Sequence, residues 1–476
     1  MKLNELIENY SGSLSEYDIT SITDDTRKVE KGSLFFCVKG ENFDGHTVAR
    51  DMLEKGAVAV VCEHDLGLGE RQIITYNTRC LYGKACSAWF GHPERKLKMI
   101  GVTGTNGKTT TTNIIKHILM QSGFKTGLIG TIQNEIGDEV FHTDNTTPFA
   151  YDFMALLDKM VKENCEYVVM EVSSFGLVQN RIGSSHFDVA LFTNLTQDHL
   201  DYHKNMEDYY QAKKLLFGMC DNAICNIDDD YGKRLYNEIT CPKFSFSIES
   251  KSDFRAENIC VKANGSTFDL LYNGKSYPIK TNMTGLFNIS NVLGAIAICL
   301  TEGIAIDEII SAVQNYSGVK GRCEIIPTDK NFTVICDYAH TPDAIENVLK
   351  TLKPYAENRL ICLFGCGGNR DSAKRPKMAV ASAKYADKII VTSDNPRNEN
   401  PEEIIKEILT GLENSAVSYD VVTDRREAIY HALKIAEKGD IIVLAGKGHE
   451  DYQILENNRH IHFDEREVVA DGLKLL

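Results

Sequence analysis

The 476-residue chain has few prolines, 10 in all, and no C-x-x-C pair among its 14 cysteines. It has no excess of basic charge, since 52 Lys and Arg face 67 Asp and Glu for a net charge of −15. It also has no apolar run of about 18 residues, the length a membrane-spanning helix needs. Its start, MKLNELIENYSG, carries no apolar signal segment. Each absence excludes something. Proline-poor composition with ordinary glycine use excludes a collagen-like or disordered chain. Without C-x-x-C spacing, the cysteines form neither a disulfide framework nor a zinc site. The closest pairs are Cys220 with Cys225 and Cys362 with Cys366, and most cysteines lie in apolar runs such as Ile298-Cys299-Leu300, as small buried hydrophobes do. The acidic balance excludes generic nucleic-acid binding. It leaves room for a small anionic substrate, for which one local basic pocket suffices. A soluble, cytosolic chain without membrane insertion is expected.

What is present is a globular mixture, 43% hydrophobic and 25% charged. At roughly 150 residues per domain the length predicts about three domains. Residues 1–97 mix short strands and helices: Ser33–Val38 and Ala57–Cys62 read as strands, and Val48–Lys55 as a helix ended by Gly56. Residues 98–318 alternate strand and helix, with buried-type strands at Lys98–Val102, Tyr167–Val172 and Asp188–Thr193. The alternation restarts over 319–476, with strands at 332–336, 360–364, 388–392, 420–422 and 440–444 and helices at 376–385 and 401–409. Such alternation predicts an α/β protein with parallel sheets covered by helices, one in the middle and one in the C-terminal third.

The segment Gly101-Val-Thr-Gly104-Thr-Asn-Gly107-Lys108-Thr109-Thr110 follows a strand and opens a helix over Thr109–Gln121. Backbone N–H groups of such a loop cradle phosphates. Lys108 would reach the β and γ oxygens, and the Thr109 hydroxyl would meet Mg²⁺. The strict spacing wants Gly at position 102, where Val stands. A second oddity is a lysine on an apolar face. Glu207–Cys220 is helical by pattern, with Met206, Tyr209, Tyr210, Ala212, Leu215, Leu216, Phe217 and Met219 on one arc, Lys213 in its middle and Lys214 at its edge. A buried ammonium is costly, so Lys213 is either paired, neutralised or modified, or it snorkels to the rim.

The GVTGTNGKTTTT loop resembles the ATP loop of the Mur ligase family, ATP-dependent amide-bond ligases of peptidoglycan synthesis, and occurs also in the related folylpolyglutamate synthetases. The resemblance extends over nearly the whole chain and is weakest across about 228–280. It implies three domains: a small α/β UDP-binding domain (1–97), a central parallel-sheet P-loop ATPase domain (98–318) and a C-terminal Rossmann-like, amino-acid-binding ligase domain (319–476). It implies ATP contacts at Gly104, Thr105, Asn106, Gly107, Lys108, Thr109 and Thr110, joined by Asn288, Arg322 and Asp337. Tyr-x-x-Ala-Lys-x-x-Leu-Phe is similar to the context in which the family carbamylates its lysine, so Lys213 is expected as an anionic carbamate. Glu171, ending Tyr167–Glu171, and His199, in Asn194-Leu-Thr-Gln-Asp-His199-Leu-Asp-Tyr-His203, resemble the family's other metal-centre residues. Thr109 and Glu171 are thereby expected at Mg²⁺, with His199 and carbamylated Lys213 at a second metal position.

Asn145, Thr146, Thr147, Ser173, Gln179 and Arg181 match the UDP-MurNAc-dipeptide sites of the branch that adds the third residue of the stem peptide. The N-terminal Asp24-Asp25-Thr26-Arg27 resembles the uridine-binding segment, where the family usually has Asp-Ser-Arg. A hydroxyl survives in Thr26, which is expected at the uridine. In the last third Asp394-Asn395-Pro396-Arg397 matches the diaminopimelate-adding form, since lysine-adding forms lack that arginine. A guanidinium binds a carboxylate through two parallel N–H bonds, and meso-diaminopimelate differs from lysine by one carboxylate. Arg370 is placed by the resemblance at the amino acid's other carboxylate, with Gly446 and Glu450 at its distal amine. The implied partners are UDP-MurNAc-L-Ala-D-Glu, meso-diaminopimelate and ATP, with Mg²⁺ as cofactor, a hinge near residue 318, and a monomer. The alternatives are a ligase of the same fold adding L-lysine or acting on folate or another Mur nucleotide, and a P-loop nucleotide switch.

Overall fold

The computed structural model describes every residue except Asn9, Glu41, Asn42, Asp144, Gln197, Asp198, Leu200, Asp201, Ala263, Asn264 and Asp371. The chain forms two compact units, Met1–Arg255 with Leu293–Ile309, and Ala256–Val292 with Ile310–Leu476.

In the first unit, residues Ser21–Thr23, Ser33–Phe36, Ala59–Cys62 and Gln72–Ile74 build a four-stranded parallel sheet in chain order. One face has its own core of Val29, Phe35, Val60 and the helix Ala49–Lys55. The other face does not. Leu34, Phe36 and Val61 share a single cluster with Tyr82 and with Phe153, Met154 and Phe187 of the following region. Gly83, on the helix Thr78–Trp89, makes this joint: a Cβ there would stand 2.7 Å from the Cα of Gly183.

The large sheet of this unit places Lys98–Thr103 between Phe187–Phe192 and Tyr167–Glu171, with Cys220–Asn226 and Lys243–Ser247 beyond one side and Thr126–Ile129 beyond the other. All six run parallel. Asn134–Ile136 and Glu139–Phe141 add an antiparallel edge. The register Val102↔Glu171 and Phe192↔Thr103 brings the carboxyl ends of three adjacent strands to one level. In open parallel sheets ligands bind at that edge.

In the second unit the strands lie in the order Glu324–Ile326, Thr333–Asp337, Ile441–Ala445, Leu360–Phe364, Lys388–Val391 and Ser418–Val421. The first pairs antiparallel and the other five are parallel. Helices cover both faces, burying Ile345, Leu349, Met378 and Ile405 on one side and Ala428, Leu433, Val468 and Val469 on the other. Outside this sheet Gly265–Tyr272 and Lys275–Thr281 form an antiparallel hairpin. Observed elements differ from the expected ones mostly by one to three residues at their ends. The exception is the helix expected over Glu207–Cys220. It is α-helical only over Met206–Lys214, tightens to a 3₁₀ turn over Leu215–Gly218, and gives way to a strand at Cys220. The tightening turns Leu215 out to 50% exposure, so it leaves the apolar arc expected for it.

Candidate active site

The strand Lys98–Thr103 ends in a loop whose glycines are obligatory. Gly104 has φ 148° and Gly107, the N-cap of the helix Lys108–Gln121, has φ 86°; L side chains rarely adopt these conformations. A Cβ on Gly104 would also strike Thr193 Oγ1 at 1.9 Å. The neighbouring strand's exit holds the loop in shape. Thr193 Oγ1 donates to Asn106 O at 2.7 Å, and Asn194 O and Oδ1 accept from the N–H groups of Thr105 and Asn106, each at 2.9 Å. Lys108 Nζ turns back onto the loop, donating to Gly104 O at 2.9 Å and Thr105 O at 2.8 Å.

Glu171 is 1% exposed. Its Oε2 accepts from Thr109 Oγ1 at 2.9 Å, and Thr131 donates to it twice, from N to Oε1 at 2.9 Å and from Oγ1 to Oε2 at 3.0 Å. Gly130 leaves room for this, since a Cβ there would lie 2.8 Å from Oε1. Thr109 and Glu171 therefore do meet, at the helix start and strand end where the sequence put them. Thr110 is buried one position further along the same helix.

Lys213 is 1% exposed and does not snorkel. Its Nζ donates to Gly104 O at 2.9 Å and lies 4.6 Å from the ring centre of Tyr209. His199, exposed and with φ 54°, sets its ring edge-on to Phe175 at 5.3 Å and to Tyr209 at 6.0 Å. His203 is buried between them: its Nε2 pairs with Ser174 Oγ at 2.9 Å and its ring lies 4.9 Å from that of Tyr209. Burial is the main cause that lowers the His203 pKa below 6.5, and the charges of Lys213 and His199 also lower it. Among the described residues no group of three or more His, Cys, Asp and Glu gathers as a ready metal cage. The oxygen donors Thr109 and Glu171 are hard ligands of the kind Mg²⁺ takes, and that ion commonly uses one or two carboxylates and keeps its waters.

Beside this centre Thr147 Oγ1 donates to Glu171 O at 3.0 Å and accepts from Ser173 N at 3.0 Å. Thr146 Oγ1 lies 3.0 Å from Thr131 Oγ1. Arg181 grips Gln179 Oε1 with two N–H groups at 2.8 and 3.0 Å, and reaches Asn145 Oδ1 at 3.2 Å and Thr147 O at 3.0 Å. Its guanidinium lies over the Phe149 ring at 4.0 Å, and burial lowers its pKa. Asn145, Thr146, Thr147, Ser173, Gln179 and Arg181 are thus one connected patch. Phe149 also lines a cavity of about 720 Å³ with Thr26, Asp24, Arg27, Tyr82 and Asp152. There the Arg27 guanidinium, hydrogen-bonded to Asp25, holds that carboxyl down at about 2, while burial pushes Asp24 up.

The second unit assembles another cluster at the carboxyl ends of its parallel strands. Asp337 is buried, which raises its pKa, and accepts from Cys323 N at 2.7 Å and Ala339 N at 2.8 Å. Arg322 lies over the Tyr338 ring at 5.1 Å. The Tyr338 hydroxyl feels the charges of Glu450, Arg322, Asp394 and Arg370 together, though burial is the main cause of its raised pKa. Asn395 Nδ2 donates to Glu450 Oε2 at 3.0 Å. Arg397 sits at φ 51°, a strained conformation for a long side chain, and donates to Gly368 O at 3.0 Å. A Cβ on Gly368 would strike the Pro396 carbonyl at 2.0 Å, so the Gly367-Gly368 turn must be bare for this loop to pack. Gly446, at φ 117°, faces Asp394, whose Oδ2 lies 3.5 Å from where its Cβ would stand. Arg370 is exposed on its loop. Asn288 is buried on a different segment and donates to Thr284 O at 2.9 Å.

Three family models cover most of the chain in order: "Mur ligase family, catalytic domain" over residues 18–95, "Mur ligase middle domain" over 102–299 and "Mur ligase, glutamate ligase domain" over 321–448. The chain belongs to the Mur ligase family. Among curated Mur ligases it is 44% identical, over 100% of both chains, to the UDP-N-acetylmuramoyl-L-alanyl-D-glutamate–2,6-diaminopimelate ligase 1 of Clostridium acetobutylicum. It is likewise 44% identical to the Bacillus cereus ligase of that activity, over 96% of this chain and 94% of the relative. A solved structure of a UDP-N-acetylmuramoyl-L-alanyl-D-glutamate–2,6-diaminopimelate ligase matches with TM-score 0.77 and 31% identity, covering 100% of this chain and 99% of that one. The architecture, a small four-stranded parallel sheet, a large mostly parallel sheet and a six-stranded C-terminal sheet, is that of a Mur ligase.

Four residues of these two clusters carried no role in the sequence reading. Thr131 follows the buried strand Thr126–Ile129, and a polar residue at such a strand's carboxyl end is a readable signal. His203 and Tyr209 stood in quoted motifs without a role. Lys447 is the fourth, fully buried beside Asn395 and Glu450.

Proposed function

We propose that this chain is the ATP-dependent ligase that joins meso-2,6-diaminopimelate to the D-glutamate of UDP-MurNAc-L-Ala-D-Glu, releasing ADP and phosphate, in cytoplasmic peptidoglycan synthesis. The observation that carries the reading is full-length likeness at 44% identity to curated ligases of that name. The site chemistry agrees. Residues 1–97, with Thr26 in the cavity of about 720 Å³, take the uridine end. Residues 98–318 take the dipeptide at the Arg181 patch and ATP at the loop 104–110, helped by Asn288. Residues 319–476 take the amino acid, and Arg322 and Asp337 are assigned to ATP on the family resemblance.

A carboxylate does not react with an amine unless activated. The glutamyl carboxylate takes the γ-phosphoryl group: its oxygen bonds phosphorus as the bond to ADP breaks, giving an acyl phosphate. The amine then attacks the acyl carbon, loses a proton, and inorganic phosphate departs. Catalysis of this kind is mainly positioning and charge neutralisation. Lys108, at the start of the helix, neutralises charge on the terminal phosphate. Thr109 Oγ1 and Glu171, 2.9 Å apart, would hold Mg²⁺. When bound, Mg²⁺ neutralises charge on the phosphoryl group in transfer. Lys213 as a carbamate, with His199, would supply the donors of a second metal position. Replacing a buried ammonium by an anion also removes the burial of one cation beside another. Arg370, Asp394, Asn395, Pro396, Arg397, Gly446 and Glu450 form the amino-acid pocket.

The test is phosphate release from ATP with UDP-MurNAc-L-Ala-D-Glu in the presence and absence of meso-diaminopimelate. Release that needs both partners supports the ligase. Release with neither marks a nucleotide switch instead.

A further inference from the structure

Lys447 is 0% exposed, and its ammonium lies among four acceptors. It donates to Asn395 Oδ1 at 2.9 Å, Tyr452 O at 2.8 Å and Glu450 Oε2 at 3.3 Å, and stands 3.2 Å from Asp394 Oδ1. Three N–H groups are thereby used on Asn395, Glu450 and Tyr452. Asp394 Oδ1 receives the charge of Lys447 but has no hydrogen-bond donor among the described residues. A buried carboxylate oxygen left in that state is costly unless a ligand N–H completes it.

The charges of the cluster are also informative. Asp394 and Glu450 are two carboxylates that meet at Lys447 Nζ, at 3.2 and 3.3 Å, and Asn395 Nδ2 also bonds Glu450 at 3.0 Å. Lys447 and Arg397 supply two cations. These four side chains balance in charge, with Arg370 and the buried Arg425–Glu465 ion pair nearby, and they present a donor-seeking carboxylate oxygen at Asp394 and a guanidinium at Arg397. That pattern suits a substrate end bearing both an ammonium and a carboxylate. Without Lys447 the same cluster carries excess negative charge, which suits a simple amine.

We infer that Lys447 is a positioning residue that sets the specificity of the amino-acid pocket: it holds Asn395, Asp394 and Glu450 in register and cancels one carboxylate, so that a zwitterionic far end is preferred over a lone ammonium. The inference rests on the proposed ligase reading. Lys447 also ties the hairpin Tyr452–His462 to the Asp394 loop, so its removal has a structural cost that the test must separate.

The experiment uses the full chain and measures kcat and KM for meso-diaminopimelate, L-lysine and ATP. Lys447→Met is expected to raise the KM for meso-diaminopimelate roughly tenfold or more and narrow the preference over L-lysine by a similar factor, with the KM for ATP within about twofold. Lys447→Arg, which keeps the charge, recovers part of the preference. A Lys447→Met enzyme with lowered kcat but unchanged KM and unchanged preference has lost only structure, and overturns the inference. Should Lys447→Met not fold, Glu450→Gln and the Glu450→Gln/Lys447→Met pair carry the same test, because the pair leaves fewer buried charges unmatched. Adding Lys447→Met to Glu450→Gln must lower the preference for meso-diaminopimelate, and no change there overturns the inference. If the unsubstituted chain forms no amide with meso-diaminopimelate, the ligase reading itself fails. If it does, and the variants keep KM and preference, the role of Lys447 alone fails.

Discussion

Lys108 and Lys213 share one acceptor: each ammonium donates to the carbonyl oxygen of Gly104 at 2.9 Å. Two like charges converging on one carbonyl oxygen repel each other, which favours an anion brought beside them. The γ-phosphate of a nucleotide would supply the anion, and a carbamate on Lys213 would reverse one of the charges. The shared acceptor couples the two lysines in space, and in the proposed function both handle phosphate.

Removing Lys108 should therefore abolish phosphoryl transfer more than folding. Lys108→Ala is expected to cost about 3 kcal/mol or more in the transition state, roughly a hundredfold or more in kcat/KM, as removal of comparable electrostatic donors does. Steady-state phosphate release with thermal unfolding measured in parallel checks this. Near-normal turnover would mean that the loop binds something other than ATP phosphates.

Carbamylation of Lys213 makes its own prediction. Lys213→Ala should lose most activity and regain part of it with added short carboxylic acids, which stand in for the missing anion. Mass spectrometry under bicarbonate should find the unsubstituted chain heavier by one CO₂ at Lys213. A fully active alanine variant would sink the idea.

Arg181 is held by planar contacts: two N–H bonds to Gln179 Oε1, at 2.8 and 3.0 Å, and a ring beneath it. A lysine is a point charge and cannot reproduce that fork. Arg181→Lys should raise the KM for UDP-MurNAc-L-Ala-D-Glu about tenfold and leave the KM for ATP alone. An equal rise in both would show that the patch does not select the dipeptide.

The helix bearing Lys213 is pinned by an exposed acid–base network that gives it a pH signature. Arg234 bonds Glu207 and Glu238, and Glu238 also accepts from Lys214 Nζ at 2.8 Å and from Tyr210 OH at 2.7 Å. Chiefly through Arg234, Glu207 is lowered from 4.5 to about 2; chiefly through Lys214, then Arg234, so is Glu238. Carboxylates with depressed pKa stabilise fully above the unfolded-state value and lose that contribution as pH falls toward the folded one. Arg234→Ala should thus be slightly less stable at pH 7, with the difference shrinking between 4.5 and about 2. Urea midpoints at pH 7 and near pH 3 measure it. A difference that does not change with pH would remove the network from the account.

Parts of this molecule were legible because buried parallel strands are written as continuous apolar runs. Leu360–Phe364 and the helix Pro401–Leu409 occur at the expected residues. The glycine-rich loop after Lys98–Thr103 was legible because Gly104 and Gly107 serve backbone conformations no other residue takes up easily. Gly265–Tyr272 and Lys275–Thr281 were not, since their solvated faces interrupt the apolar run with Asp269, Lys275 and Lys280. The Asn273-Gly274 turn between them, with both φ positive, was an available hairpin signal. Thr131 and Lys447 were missed for a different reason. Their importance lies in partners distant in sequence, Glu171 for one and Asp394 and Asn395 for the other, which only the folded chain brings within hydrogen-bond or ion-pair range.

The most direct test of the central claim is amide formation on UDP-MurNAc-L-Ala-D-Glu with ATP, comparing kcat/KM for meso-diaminopimelate and L-lysine in the unsubstituted chain and in Arg397→Ala. The account predicts a preference for meso-diaminopimelate on the order of a thousandfold, because lysine leaves the guanidinium unpaired, and its collapse in the variant through loss of meso-diaminopimelate activity. Comparable kcat/KM for the two amines in the unsubstituted chain would contradict it.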